Sequence, residues 1–329
     1  MITAGNIDDY LIEDIIHDLL LVDEEILTHL QSEPPLLGEI GYYLISAGGK
    51  RVRPALTLLS FRAAGTQPIE VVVPIAAAIE LIHTASLIHD DINDGTDLRR
   101  GILTANRKFG NSSALVAGDY LFVKAFRIGG KYDWEIVRII ADACALLAEG
   151  EIQQDLNQYN TDLSINEYLD TIHKKTASLI SACSQVGAVL SGASSEIVEA
   201  LTKFAFNIGM AFQITDDMLD VKGVEADTGK PTGNDIRDGQ LSVVSIKALE
   251  QLKGDTKDEL QTIIRKKENS DDEIKRAIDL IMSTDSMTFA DTMANEYADK
   301  ARDELHKLDE SDYRDNLELI IEMIIQRSF

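Results

Sequence analysis

Two short acidic runs share one spacing: Asp90-Asp91-Ile92-Asn93-Asp94 and Asp216-Asp217-Met218-Leu219-Asp220. Each reads Asp-Asp-x-x-Asp, and each follows a long apolar stretch. Residues four apart project from one face of a helix, so Asp90 with Asp94, and Asp216 with Asp220, would form two acidic clamps. Both fall where the apolar stretches end. A helix C-terminus already carries negative dipole charge, and like charges at i, i+4 repel, so the arrangement costs stability unless cations fill it. Mg²⁺ suits such a place, because it takes oxygen ligands, keeps several waters and is held by one or two carboxylates plus substrate phosphates. One acidic run alone is as readily a solvated helix end. Its repetition in the same setting points to a diphosphate bridged by metal between two clamps. The alternating ligands and distal Glu of an EF-hand calcium loop are missing from both.

Phosphate also needs donors, and cations occur in short groups: Gly48-Gly49-Lys50-Arg51-Val52-Arg53, Arg99-Arg100 just after the first clamp, Lys174-Lys175-Thr176 and Thr228-Gly229-Lys230. Arg offers phosphate a planar fork and Lys a point charge. No Walker sequence is present, so a P-loop is excluded. His83 lies on one helical stripe with Ser86, Asp90 and Asp94, and Gln213 holds the matching place before Asp216 and Asp220.

The net charge of −25 argues against a nucleic-acid partner and repels anionic substrates globally, so a phosphate must be received by a local cationic patch or by bound metal. Hydrophobic residues, at 45%, suffice for a large core. The two cysteines, Cys144 and Cys183, lack metal-ligand spacing and read as buried free thiols. No apolar run reaches the roughly 20 residues that cross a bilayer, and the N-terminus lacks a basic leader, so a cytoplasmic protein without a transmembrane segment is expected.

The elements that would position these residues are helical throughout. Leu317, Ile320, Ile321, Ile324 and Ile325 recur with helical period, and residues 71–91 are apolar almost all round, with Pro74 in the first turn. Residues 207–221 read likewise. Alternating strand patterns are scarce. Turn chemistry falls at residues 47–49, 129–130, 192–195 and 223–239, and residues 266–272 form a charged inter-helix loop. None is long enough to divide the chain, so one all-α domain over 1–329 is expected, with its functional residues where buried helices end.

The sequence Leu87 to Gly101 resembles the first aspartate-rich motif of the trans-isoprenyl diphosphate synthases, and Phe212 to Asp220 resembles the second. Gly48 to Pro54, Ala117 to Leu121, Glu149 to Glu151, Lys175 to Ala177 and Thr228 to Pro231 follow the same family's order. The likeness is strong over residues 40–245 and weaker to the C-terminus. It implies a bundle of long antiparallel helices around a deep central cavity, and a homodimer. By that resemblance Asp90, Asp94 and Asp216, with Asp220 in support, hold about three Mg²⁺ ions around an allylic diphosphate. Arg99, Lys175 and Lys230 would bind that diphosphate, and Lys50, Arg53, His83 and Arg100 the diphosphate of isopentenyl diphosphate. Thr176 and Gln213 would set oxygen dipoles near the allylic cation. One position departs from the pattern: after Asp238-Gly239 the family continues with Lys, and here Gln240 brings a hydrogen-bonding group without charge.

Product length follows from the small residues before the first clamp. A tail leaving Asp90 runs back along its helix past Ala85 and Ser86, then Ile82. Short-chain members of the family place an aromatic ring there; a small first turn implies a product of C20 or longer. Three rival readings are weighed against this one. A terpene cyclase leaves Lys50, Arg53 and Arg100 without purpose. A non-catalytic, prenyl-diphosphate-binding subunit of a hetero-oligomeric synthase is favoured by Gln240 alone, and a divalent-ion-binding scaffold predicts no prenyl transfer.

Overall fold

A computed structural model describes residues 11–223 and 232–326. Helices dominate: α1 (Glu13–His29), α2 (Pro35–Ser46), α3 (Val52–Ala64), α4 (Val73–Asn93), α5 (Ala105–Phe109), α6 (Asn111–Gly129), α7 (Trp134–Leu156), α8 (Ile165–Ile172), α9 (Ser178–Leu190) and α10 (Ser195–Lys222). After these come α11 (Asn234–Arg237), α12 (Val243–Gln251), α13 (Asp255–Arg265), α14 (Asp271–Met282), α15 (Ser286–Leu305) and α16 (Asp312–Gln326). Among the described residues the strands are one two-residue antiparallel ladder, β1 (Leu98–Arg99) on β2 (Ile102–Leu103).

The expected central helices form because they are apolar on nearly every side and therefore must be surrounded. α4 begins with Pro74 in its first turn and buries Ile75, Ile79, Leu81, Ile82, Ala85 and Ile88. α10 packs along α15, whose Ala290, Ala294, Ala298 and Ala301 form a buried small-residue stripe that admits the neighbouring backbone. α3 packs on α9, where a side chain at Gly187 would meet the Thr57 carbonyl oxygen at 2.3 Å. The buried apolar side chains join in one continuous cluster.

Two expectations are corrected. The 25-residue span Ile69–Asn93 and the 28-residue helix Ser195–Lys222 are long and apolar enough to cross a membrane, with mean hydropathy 2.0 and 1.2. Their apolar windows are 72% and 56% buried by the bundle, which accounts for their composition. Cys183 is buried, but Cys144 is only half-buried; both are free thiols.

α8 starts at a reciprocal cap, in which Ser164 and Glu167 satisfy one another's backbone N–H groups. It runs into a π-helical turn, His173–Ala177, before α9 continues. An extra residue in a helical turn re-aims the side chains it carries, and such turns gather at functional sites. Glycines allow its neighbours to approach: a Cβ at Gly150 of α7 would lie 2.7 Å from the Lys175 nitrogen, and one at Gly209 of α10 would lie 2.8 Å from Ala177 Cα. These two close approaches fix where Lys175 and Thr176 point.

Candidate active site

Both acidic motifs end their helices as expected. α4 closes at Asn93 with Asp94 as its cap, and α10 closes at Lys222. Within each motif the middle aspartate turns away from its neighbours, because successive helical residues differ by about 100°. Asp91 is 1% exposed, accepts from Arg99 Nε at 2.8 Å, and its carbonyl accepts from the buried Asn106 amide at 3.1 Å. Asp217 is buried as well and accepts from Tyr168 Oη at 2.6 Å and Gln213 Nε2 at 2.9 Å. Asp90, Asp94 and Asp216 remain half-buried or exposed.

Acidic groups from other elements crowd the clamps. Burial, then the neighbouring Glu151, pushes the Asp90 carboxyl up to about 7, with Lys175 opposing and Asp94 adding. Asp94 is also raised, chiefly by burial and further by Asp155, while Lys175 and Arg99 hold it back. Glu151 and Asp155 are four apart on α7, so one helix sets a second carboxylate ladder against the first. Asp238 rises through burial and through both Asp94 and Asp220, one from each motif. Asp235 rises well above its usual range by burial beside Asp217, Asp220 and Asp216. A site with this much uncompensated carboxylate is built for cations of oxygen-ligand type. Among the described residues no three His, Cys, Asp or Glu side chains are already grouped to hold an ion by themselves.

The basic side is assembled from three elements. Arg53 of α3 donates to His83 Nε2 of α4 at 3.1 Å, and its own Nε is buried without a partner. Burial and then Arg53, Arg100 and Arg99 push the His83 imidazole well down, so it stands neutral as an acceptor. Arg100 and Gly101 form the corner of the β1–β2 hairpin with φ of 54° and 77°, the two-residue turn that matches strand twist. That corner sends the Arg100 guanidinium onto the Gly48 carbonyl and against Gly49, where a Cβ would sit 2.7 Å from it. Lys50 is exposed beside them. Arg51 turns aside to pair with Glu80 at 2.7 Å and Asp23 at 3.1 Å.

On the opposite side Lys175 pairs with Glu151 at 2.8 Å, and Thr176 donates to Gln213 Oε1 at 2.9 Å. Lys175, Thr176, Gln213, Asp217, Tyr168 and Gln240 line one cavity of about 140 Å³. The backbone N–H of Gln240 is held by the Asp235 carbonyl at 2.8 Å. Both carboxylate oxygens of Asp220 receive backbone N–H groups, from Asn234 at 3.0 Å and Asp235 at 3.1 Å. The last aspartate of the second motif thus anchors the loop that bears Gln240. Lys230 lies outside the described residues. Ala85 and Ile82 are 0% and 3% exposed within the bundle, while Ser86, four residues before Asp90 and on its side of α4, is half-buried.

The model of the polyprenyl synthetase family matches residues 34–281. The chain belongs to this family. It is 37% identical over 315 residues to a short chain isoprenyl diphosphate synthase of Methanothermobacter thermautotrophicus, covering 93% of this chain and 95% of that one. It is 34% identical over 320 residues to a geranylfarnesyl diphosphate synthase of Aeropyrum pernix, covering 94% and 99%. The crystal structure of a polyprenyl synthase from Caulobacter crescentus, complexed with calcium and isoprenyl diphosphate, superposes with a TM-score of 0.92 at 33% identity, covering all of both chains. This polyprenyl synthetase is accordingly an all-α prenyltransferase of the isoprenoid synthase fold.

The spacing of the two motifs gave no role to the residues packed against them: Tyr168, Asp217, Glu151, Asp155, Asp235 and Asp238. The two middle aspartates were within reach of the 100° step, which separates Asp91 from Asp90 and Asp217 from Asp216. Tyr168 carried no local mark, since its partner lies 49 residues away.

Proposed function

We propose that this synthase joins isopentenyl diphosphate to an allylic diphosphate head to tail, with Mg²⁺, and releases a product of C20 or longer. The observation that carries the reading is the pair of carboxylate clamps closing α4 and α10, with Lys175 beside the first and the Arg53–His83–Arg100 group behind it. The oxygen-only donor set fits hard divalent cations, on the order of three, completed by diphosphate oxygens. When bound, Mg²⁺ offsets charge on the departing pyrophosphate.

The chain's own groups supply the rest. Lys175 exchanges its Glu151 partner for the allylic diphosphate, joined by Arg99 and Lys230. Arg53, His83, Arg100 and Lys50 hold the second diphosphate, so that the alkene lies beside the allylic carbon and positioning replaces a bimolecular encounter. Thr176 and Gln213 set oxygen dipoles toward the carbon where positive charge develops as the C–O bond breaks. The new C–C bond forms, and the released pyrophosphate accepts the proton that leaves. The apolar flanks of α4 and α10 exclude the water that would capture the cation.

Purified chain with Mg²⁺, labelled isopentenyl diphosphate and farnesyl diphosphate should yield C20 or longer products; no transfer would remove the reading. Of the small residues before the first clamp, Ala85 is buried in the core and Ser86 is half-buried on the Asp90 side, so Ser86 is the position for a length test. Ser86→Phe should shorten the product by one or two isoprene units, since each unit spans about a helical turn or slightly less. Ala85→Phe instead overpacks the core and costs about 1–3 kcal/mol. An unchanged product in Ser86→Phe would place the floor elsewhere.

We also infer one cytoplasmic domain that pairs as a homodimer. α6 presents Leu115, Val116, Val123 and Phe126, each 49–62% exposed, on the side away from α4, and exposed apolar stripes of this kind mark interfaces. Light scattering should give twice the chain mass. Val123→Glu with Phe126→Glu should halve it, and a monomeric parent would end the proposal.

A further inference from the structure

Four side chains from three elements form one directed chain of hydrogen bonds. Tyr168 Oη of α8 donates to Asp217 Oδ2 at 2.6 Å. Gln213 Nε2 of α10 donates to Asp217 Oδ1 at 2.9 Å. Thr176 Oγ1 of the π-helical turn donates to Gln213 Oε1 at 2.9 Å. All four line the same cavity.

The polarity of this chain is set from its buried end. Asp217 accepts at both oxygens, from Tyr168 at Oδ2 and from the Gln213 NH₂ at Oδ1; with the amide reversed, oxygen would stand against oxygen at Oδ1. That leaves Gln213 Oε1 facing Thr176, whose single hydroxyl hydrogen is then committed to it. A hydroxyl with its hydrogen committed has only lone pairs left to present. Without that commitment it could rotate and turn a positive hydrogen into the cavity.

We infer that Tyr168 is a positioning residue: by holding Asp217 it sets the direction of the Gln213 amide and leaves Thr176 presenting oxygen lone pairs to the reacting carbon. The inference rests on the reading above that Thr176 faces the allylic carbon. Dipoles fixed beforehand stabilise developing charge without reorganising, whereas a free rotor must first be turned. The Tyr168 hydroxyl is spent on Asp217, so on this inference its loss acts on turnover rather than on binding. Removing its hydroxyl strips the buried Asp217 Oδ2 of its donor and frees the carboxylate to turn toward other partners.

A double-mutant cycle tests this. Tyr168→Phe should lower kcat about tenfold, the scale of one hydrogen bond to a charged group, with KM for both substrates within about twofold. In a Thr176→Val background the same change should cost less than about twofold, because no hydroxyl remains to be oriented. An equal loss in both backgrounds would mark a merely structural tyrosine and overturn the inference; so would an unchanged kcat, or an effect confined to KM. If Tyr168→Phe does not fold, Asp217→Asn replaces it. Its carboxamide can turn an NH₂ toward Gln213 and reverse that amide, so the same tenfold loss and the same non-additivity are expected, and an additive result again overturns the inference. A wild-type chain without prenyl transfer in this assay would defeat the parent reading and this one together, whereas additivity in an active enzyme defeats this one alone.

Discussion

Replacing Asp90 or Asp216 with alanine should lower turnover at least about a hundredfold, the scale of losing one key electrostatic group in a water-poor site. Each residue opens a clamp, and neither has a neighbour free to take its place. Asp91 is committed to Arg99, Asp217 to Tyr168 and Gln213, and Asp220 to the backbone of residues 234–235. Stability should move the other way. Asp90 sits near a helix C-terminus among Asp94 and Glu151, where removing a negative charge relieves repulsion, so the thermal midpoint of Asp90→Ala should hold or rise. The pairing of lost turnover with undiminished stability separates a metal-clamp role from a structural one. Near-normal turnover, or a lost midpoint with turnover in proportion, would sink the clamp argument. Titrating Mg²⁺ against each variant gives a second reading, since a broken clamp raises the concentration needed.

Gly209→Ala should cost roughly a hundredfold in turnover without touching a charged residue. The new Cβ would lie 2.8 Å from Ala177 Cα and 3.0 Å from Ala177 Cβ, neither of them the free end of a flexible side chain. The π-helical turn must therefore shift, carrying Lys175 and Thr176 with it. A displacement near 1 Å at a reacting centre costs on the order of a hundredfold, and overpacking costs about 1–3 kcal/mol of stability. Gly150→Ala presses the same turn from the other side, at Lys175 and Lys174, and should behave alike. Gly129, at the end of α6 with open space around its Cβ position, supplies the comparison. Gly209→Ala with the activity of Gly129→Ala would show that the turn's position is not what sets Lys175 and Thr176.

The two clamps, the helical class and the cationic groups near Gly48, Arg99 and Lys175 were legible because each is a matter of local spacing. A period of 3.6 residues decides which side chains share a face, and an apolar stretch that ends in aspartates announces a buried helix opening into a polar cleft. Pro74 at a helix start and the charged loop between α13 and α14 belong to the same kind of inference, the loop spanning residues 266–270 because Asp271 already opens α14. The proposed product-length wall was less legible. Ala85 and Ser86 are adjacent and both small; the four-residue spacing puts Ser86 on the Asp90 side, and burial shows that Ala85, about 100° round the helix, faces the core.

The sequence by itself determined the family and the helical class, because residue type and near spacing suffice for both. Only the tertiary structure decided which of several like-charged residues does what. Arg51 and Arg53 are two residues apart and both cationic, yet one is spent on Glu80 and Asp23 while the other faces His83 with a buried, unpartnered Nε. Asp216 and Asp217 are neighbours, yet one is exposed and the other is fixed by a tyrosine from a different helix. The reason is that a charged side chain's role is set by what is packed against it. Those partners here lie 28 to 49 residues distant along the chain, brought together by helix packing that no local pattern encodes.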